Sequence, residues 1–227
     1  MKKLLLLAFV LAGCQPSQQT DDTSTQDAET EPAPATEWRS LFDGTSLARW
    51  RTFKNSENTG WDVVDSAIHC KGPGPDLITE EQFRNFEISL EWKIAEGGNS
   101  GIIYRSTEEF DASYLSGPEY QLLDDANYPD ANKTGSNYDM HDPVNALTKP
   151  AGEWNSSRIV VNGNHVEHWL NGLKVVEYEL QSDDWTERKT NSKWKDAAGY
   201  GMASRGHIAL QDHDHEIWFR NIWIREL

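Results

Sequence analysis

The chain has 227 residues, with 37 acidic against 21 basic side chains and a formal charge of −16. That sign repels phosphate backbones, so nucleic acid is excluded as a partner, and neutral ligands such as sugars, or a cation, fit better. Ten Trp, seven Tyr and seven Phe supply a large core and leave a surplus for a binding surface.

The amino end reads as an export signal. Lys2 and Lys3 precede an apolar run, Leu4 to Ala12, that ends in Leu11-Ala12-Gly13-Cys14. A basic start, a short apolar core and small residues before a cleavage point describe a secretory signal rather than a bilayer span, which needs about 20 apolar residues. Leu-Ala-Gly-Cys resembles the bacterial lipobox. Residues 1–13 are therefore expected to be removed, and Cys14 to carry the lipid that anchors the protein in the bacterial cell envelope. Residues 14–37 are rich in Thr, Ser, Gln, Pro, Asp and Glu and hold no aromatic or large aliphatic side chain. Such a segment is expected to be a disordered acidic linker.

From Trp38 to Leu227 the pattern is that of one all-β domain. Phe86, Ile88, Leu90, Trp92 and Ile94 alternate with polar residues, a strand with one wet face. Gly97-Gly98-Asn99 turns the chain into a second strand, Ser100 to Arg105, and Glu119 to Leu123 reads as a third. Ser157–Val161, His165–Leu170 and Leu173–Leu180 form a meander with turns at Asn162-Gly163 and Asn171-Gly172. His207–Gln211 and Glu216–Glu226 close the chain as a hairpin. No amphipathic helix longer than two turns is expected. Many short strands at this spacing point to a sandwich or jelly roll. Thr107–Pro118, Asp125–Glu153 and Ser182–Gly199 break the rhythm as long polar stretches. The second holds Tyr128, Tyr138, Met140 and Leu147 and is expected to pack on the domain.

With Cys14 lipidated, Cys70 is the one thiol left, and it reads as a small core residue. Asp139 and His141, with Asp142 beside them, offer donors for a divalent metal ion, though no full ligand set is evident. His165 and His168 fall on opposite strand faces and are not a metal pair. No nucleophile motif and no phosphate loop is present.

Eight blocks in order along residues 38–227 are similar to one bacterial family. They include Leu41-Phe42-Asp43-Gly44 with Trp50, Asp76-Leu77-Ile78-Thr79, Gly97-Gly98-Asn99-Ser100-Gly101-Ile102 and Glu119-Tyr120-Gln121-Leu122-Leu123-Asp124. Lys149-Pro150-Ala151-Gly152-Glu153-Trp154-Asn155, Trp169-Leu170-Asn171-Gly172, Ile208-Ala209-Leu210-Gln211-Asp212-His213 and Trp218-Phe219-Arg220-Asn221-Ile222 complete the set. The resemblance is to the 3-keto-disaccharide hydrolases, also described as 3-keto-α-glucoside 1,2-lyase and 3-keto-2-hydroxy-glucal hydratase domains. It implies a concanavalin-like jelly roll of two antiparallel sheets acting on an oxidised (3-keto) glycoside supplied by an upstream glycoside 3-oxidase.

That chemistry calls for a base near C2, an acid near the glycosidic oxygen and a donor or cation for the enolate at C3. Glu119 is expected to be the leading base or acid, with Asp124, Glu153 and His213 as further acid–base candidates and Arg105 as the enolate partner. Gln121, Tyr104, Asn99, Lys149 and Trp154 are the expected substrate contacts. Two other readings remain at this point: a non-catalytic carbohydrate-binding module, and a conventional glycoside hydrolase. The latter is disfavoured because no tight carboxylate pair lies along one strand.

Overall fold

The computed structural model describes residues 37–128 and 133–227. The expected signal segment, Cys14 and all but the last residue of the expected linker lie outside the described residues.

The strands, in chain order, are β1 (Arg39–Ser40), β2 (Trp50–Thr52), β3 (Trp61–Val64), β4 (Ala67–Cys70), β5 (Leu77–Thr79), β6 (Phe86–Ile94), β7 (Asn99–Ser106), β8 (Glu119–Leu123), β9 (Asn155–Asn162), β10 (His165–Leu170), β11 (Leu173–Glu179), β12 (His207–Leu210) and β13 (Ile217–Glu226). They form two antiparallel sheets. One has eight strands in the order β11-β10-β9-β6-β13-β4-β3, with β1 also paired to β13; the other runs β2-β5-β12-β7-β8. This is the all-β, two-sheet sandwich expected.

Alternation builds the core between the sheets. Phe86, Ile88, Leu90, Trp92 and Ile94 of β6 are buried there, with Ile102 and Tyr104 of β7, Tyr120 and Leu122 of β8, and Ile208 and Leu210 of β12. Strand β13 buries Ile217 and Phe219, then Ile222 and Ile224. Its pairing with β6 slips between Arg220 and Trp223, and Asn221 takes φ 51°. This bulge inserts one residue, so the apolar side chains stay inward on both sides of it. The expected wet face of β6 holds one exception. Glu87 is buried, because Arg158 (2.6 Å) and Arg225 (2.7 Å) close over it.

Three buried polar side chains inside the sandwich, His168, Tyr104 and Tyr178, bond to one another. The Nδ1–H of His168 donates to Gly135 O at 2.9 Å, so its Nε2 must accept from the Tyr104 hydroxyl, also at 2.9 Å. Tyr178 bonds to the same Tyr104 hydroxyl. Burial drives the His168 imidazole down to about 3, so it is neutral. Cys70 is fully buried, and burial pushes its thiol up to about 12. It is a core residue, as its isolation in the sequence suggests.

One turn and one longer stretch differ from expectation. Asn162 pairs with His165, so the β9–β10 loop is Gly163-Asn164 rather than Asn162-Gly163. The 182–199 stretch contains a nine-residue helix, α1 (Asp183–Asn191), followed by a 3-10 turn at Lys193–Asp196. Helix α1 has about two and a half turns, longer than the sequence suggested. Trp185 and Trp194 pin the segment by stacking on the buried Tyr200, with ring centroids 6.1 and 4.4 Å away. Residues 133–141 lie along β8. Gln121 N donates to Ser136 O (3.1 Å), Gly135 N to Gln121 O (2.9 Å) and Tyr138 N to Glu119 O (3.0 Å).

Candidate active site on the five-stranded sheet

Because Tyr120, Leu122, Ile102 and Tyr104 point into the core, their neighbours on β7 and β8 point out of the opposite face. Two rungs cross that face. One holds Glu119, Ile103, Ala209, Ile78 and Arg51 in register. The other holds Gln121 opposite Gly101, whose carbonyl accepts from Gln211 N at 2.9 Å. Phe53, Ile78, Ile103 and Ala209 make an apolar floor beside Glu119. Gly101 leaves room for the carboxyl to lean across the sheet, since a Cβ there would lie 2.6 Å from Glu119 Oε1.

This setting governs the chemistry. Burial raises the Glu119 carboxyl to about 7; Lys193 and the Gln211 side-chain amide pull it down, and Asp76 adds repulsion. Asp76 is also raised, first by burial, against hydrogen bonds from Ser113 and from Asp212 N (3.0 Å). A carboxyl balanced near neutrality can take a proton in one step and return it in the next. Gln211 is 7% exposed, and its buried Oε1 has no partner among the described residues. That orphaned acceptor suits a ligand hydroxyl. Half-exposed Tyr138 and exposed Tyr114 stand around the mouth with exposed Lys193, whose Nζ lies 3.7 Å from the Tyr138 ring centroid.

Of the expected site residues, Glu119 and Gln121 share this face. Gln121 is locked by its own amide, which donates to Asn99 Oδ1 (2.8 Å) and Ser100 O (3.0 Å), so Asn99 serves as its anchor. His213 is exposed and close enough to Asp76 to act on it electrostatically.

The remaining candidates stand elsewhere. Arg105 gives its guanidinium to Arg84 O (2.6 and 3.0 Å) and Gly163 O (2.8 Å), tying two turns together. Tyr104 is sealed in the core. Asp124 Oδ2 caps the turn after β6 by accepting from Gly97 N (2.9 Å) and Asn127 Nδ2 (2.6 Å). Glu153 sits in an exposed turn. Lys149 Nζ donates to Trp154 O at 2.6 Å. Trp154 lies on the outer face of the other sheet, under Arg220 at 3.9 Å. Single-sequence reading could place these residues near strand ends but not choose the face.

Asp124 and Lys149, with Lys93, Asn127, Gly152 and Trp218, line an open cleft of about 660 Å³ at the far end of β8. The Glu119 face is the stronger candidate. The cleft's Asp124 and Lys149 are already committed to protein partners, whereas the Glu119 face presents a buried carboxyl near its titration point and an orphaned acceptor.

Asp139 and His141 are not brought together as metal ligands. Asp139 Oδ2 accepts from Lys193 N (2.7 Å), while His141 stacks on Tyr178 at 4.5 Å with its Nε2 3.4 Å from Asp184. Among the described residues, donors close enough to share a cation are His165, Glu167 and Glu177, within 4.8 Å of one another on the outer face of the eight-stranded sheet. Lys174 Nζ already bridges Glu167 (3.2 Å) and Glu177 (2.7 Å) there. That group lies on the other sheet from Glu119.

Comparison with known proteins decides the lineage. Residues 37–225 match the family described as the 3-keto-alpha-glucoside-1,2-lyase-like domain. The chain belongs to this family. A 3-keto-disaccharide hydrolase of Bacteroides thetaiotaomicron is 34% identical, covering 86% of this chain and 80% of its own. A crystal structure of a putative glycosyl hydrolase from Parabacteroides distasonis is 37% identical, with TM-score 0.79, covering 84% of this chain and 94% of that one. A second from the same organism is 29% identical with TM-score 0.69, covering 85% of this chain and all of that one. A carbohydrate-binding module of Bacillus subtilis shares the fold alone, at 12% identity and TM-score 0.50 over 77% of this chain and 93% of its own. Membership in the 3-keto-alpha-glucoside-1,2-lyase-like family and the named relative make this chain a glycoside-processing enzyme of hydrolase type.

Four residues of the face escaped sequence reasoning as site candidates: Asp76, Ser113, Gln211 and Lys193. Gln211 was within reach, because it alternates with Ile208 and Leu210 and so must face away from the core. Lys193 carried no signal, since only the folding of the 182–199 segment brings it over the sheet.

Proposed function

We propose that this enzyme cleaves 3-keto-glucosides by elimination and rehydration, with Glu119 as the proton carrier. The observation that carries the reading is a buried carboxyl held near neutrality beside an apolar floor. A ketone at C3 acidifies the C2 hydrogen. Glu119 takes that proton, the electron pair forms the C1–C2 double bond, and the bond from C1 to the aglycone oxygen breaks. The aglycone leaves with a proton from an acid, for which Asp76, a raised carboxyl whose charge acts on Glu119, is the candidate. Water then adds at C1 and the proton returns to C2, so the net result is hydrolysis. The Gln211 Oε1 acceptor would orient a sugar hydroxyl, and Tyr114 and Tyr138 would flank the ring.

The sequence further supports an exported protein, lipidated at Cys14 and held on the bacterial cell envelope, that works on sugars oxidised by a partner enzyme. The test uses the full-length chain and its Cys14→Ser variant in fractionated cells. Each fraction receives a 3-keto-glucoside and, separately, the unoxidised glucoside. Aglycone release and the absorbance of a transient enone are followed with and without EDTA. The expected result is turnover of the 3-keto compound alone, unaffected by EDTA, in the membrane fraction, moving to the soluble fraction for Cys14→Ser. Cleavage of the unoxidised glucoside would sink the elimination mechanism. Binding without cleavage would leave a carbohydrate-binding module.

A further inference from the structure

We propose that Lys193, supplied by the 182–199 segment, is a second catalytic group: its ammonium receives the charge that develops on the substrate carbonyl oxygen while Glu119 removes the adjacent proton. This rests on the elimination reading above.

The geometry starts at Glu119. Its backbone carbonyl accepts from Tyr138 N at 3.0 Å, which fixes Tyr138 beside it. Lys193 Nζ then lies 3.7 Å from the Tyr138 ring centroid and 4.3 Å from that of Trp194. Two ring faces hold the ammonium by cation–π attraction. The cage is rigid. Trp194 Nε1 donates to Tyr138 O (2.9 Å), Ser192 Oγ accepts from Trp194 N (3.1 Å), and Asp139 Oδ2 accepts from Lys193 N (2.7 Å). Glu119 on β8 and Asp139 on the 133–141 segment are the charged groups that bear on the ammonium.

Other cations on the five-stranded sheet and its flanking segments are already engaged. Arg51 forks onto Glu108 (2.6 and 2.8 Å), Arg105 is bound by backbone carbonyls, and Lys133 donates to Tyr128 O at 2.6 Å. The Lys193 ammonium makes no hydrogen bond to another described residue, so its donors stay available to a ligand. A ketone that becomes an enolate needs such a cation most in the transition state, so the interaction acts on kcat rather than on binding. No covalent bond to the protein forms; the enolate electrons return to expel the aglycone and the ammonium keeps its protons.

The experiment compares full-length parent, Lys193→Met, Lys193→Arg and Glu119→Gln on a 3-keto-glucoside. It measures kcat, KM, exchange of the C2 hydrogen with D₂O, and borohydride trapping followed by mass spectrometry. Lys193 is on the surface, so circular dichroism should show all Lys193 variants folded. Lys193→Met is expected to lower kcat about 10²- to 10³-fold, with KM within a few-fold of the parent and C2 exchange slowed alike. Lys193→Arg should recover part of the loss. An unchanged kcat in Lys193→Met, or a raised KM alone, overturns the proposal and leaves Glu119 chemistry intact. A reduced sugar adduct on Lys193 overturns it in favour of a covalent imine. A parent that does not turn over 3-keto-glucosides overturns the elimination reading and this proposal together.

Discussion

At Glu119 the requirements of stability and of the proposed catalysis oppose each other. Its carboxyl sits at about 7 in the folded chain against an ordinary value of 4.5. Between those values the folded chain holds a proton that the unfolded chain has released. The fold therefore loses stability as pH rises from about 4.5 to 7, in total on the order of 3 kcal/mol. Glu119→Gln removes the ionisable group while keeping its shape. It should lower turnover about 10²- to 10⁴-fold and raise the melting temperature more at pH 8 than at pH 5. Equal gains at both pH values would show that burial does not hold that proton. Strand alternation put Glu119 on one face with Gln121, and the family resemblance made it the leading candidate. The strand-end position of Arg105 said nothing about the carbonyls of Arg84 and Gly163 that hold its guanidinium.

Among the elements, β8 was legible to its bounds, Glu119 to Leu123, because a run of alternating residues declares its own period. Short strands were not. The three residues of β2 or β5 carry no period, and only pairing across the sheet defines them. Helix α1 was missed for a different reason. It buries only Trp185, so it lacks an apolar stripe. Its signals are local instead: the Ser182 side chain caps Trp185 N at 3.2 Å, acids open the helix and bases close it. The pairing of β7 with β8 yields a test. Gly101→Ala would place a methyl 2.6 Å from Glu119 Oε1 and push the carboxyl off the sheet. Expected are a loss of at least tenfold in kcat and a fold that survives, read by kinetics and circular dichroism together. Full activity in a folded Gly101→Ala would place the working position of the Glu119 carboxyl elsewhere.

For the whole molecule, two buried groups set opposing pH limits. His168 is held down to about 3 from 6.5. The unfolded chain binds that proton first, so stability is lost as pH falls from 6.5 toward 3. Glu119 acts in the reverse direction above 4.5, and the surplus of negative charge adds repulsion as pH rises. The denaturant midpoint is therefore expected to peak between about pH 5 and 6.5, and the Glu119→Gln variant should peak at higher pH. A parent midpoint climbing steadily from pH 5 to 8 would contradict this account.

The way the sheets end bears on how such chains behave when crowded together. An open strand edge invites a neighbour to add its own strand. Here β8 is covered by residues 133–141, β2 is three residues long, β3 four, and β11 carries Lys174, Glu177 and Glu179 along its length. No long apolar edge is offered among the described residues. Packed densely, copies of this domain have little template for aggregation, so crowding need not cost solubility.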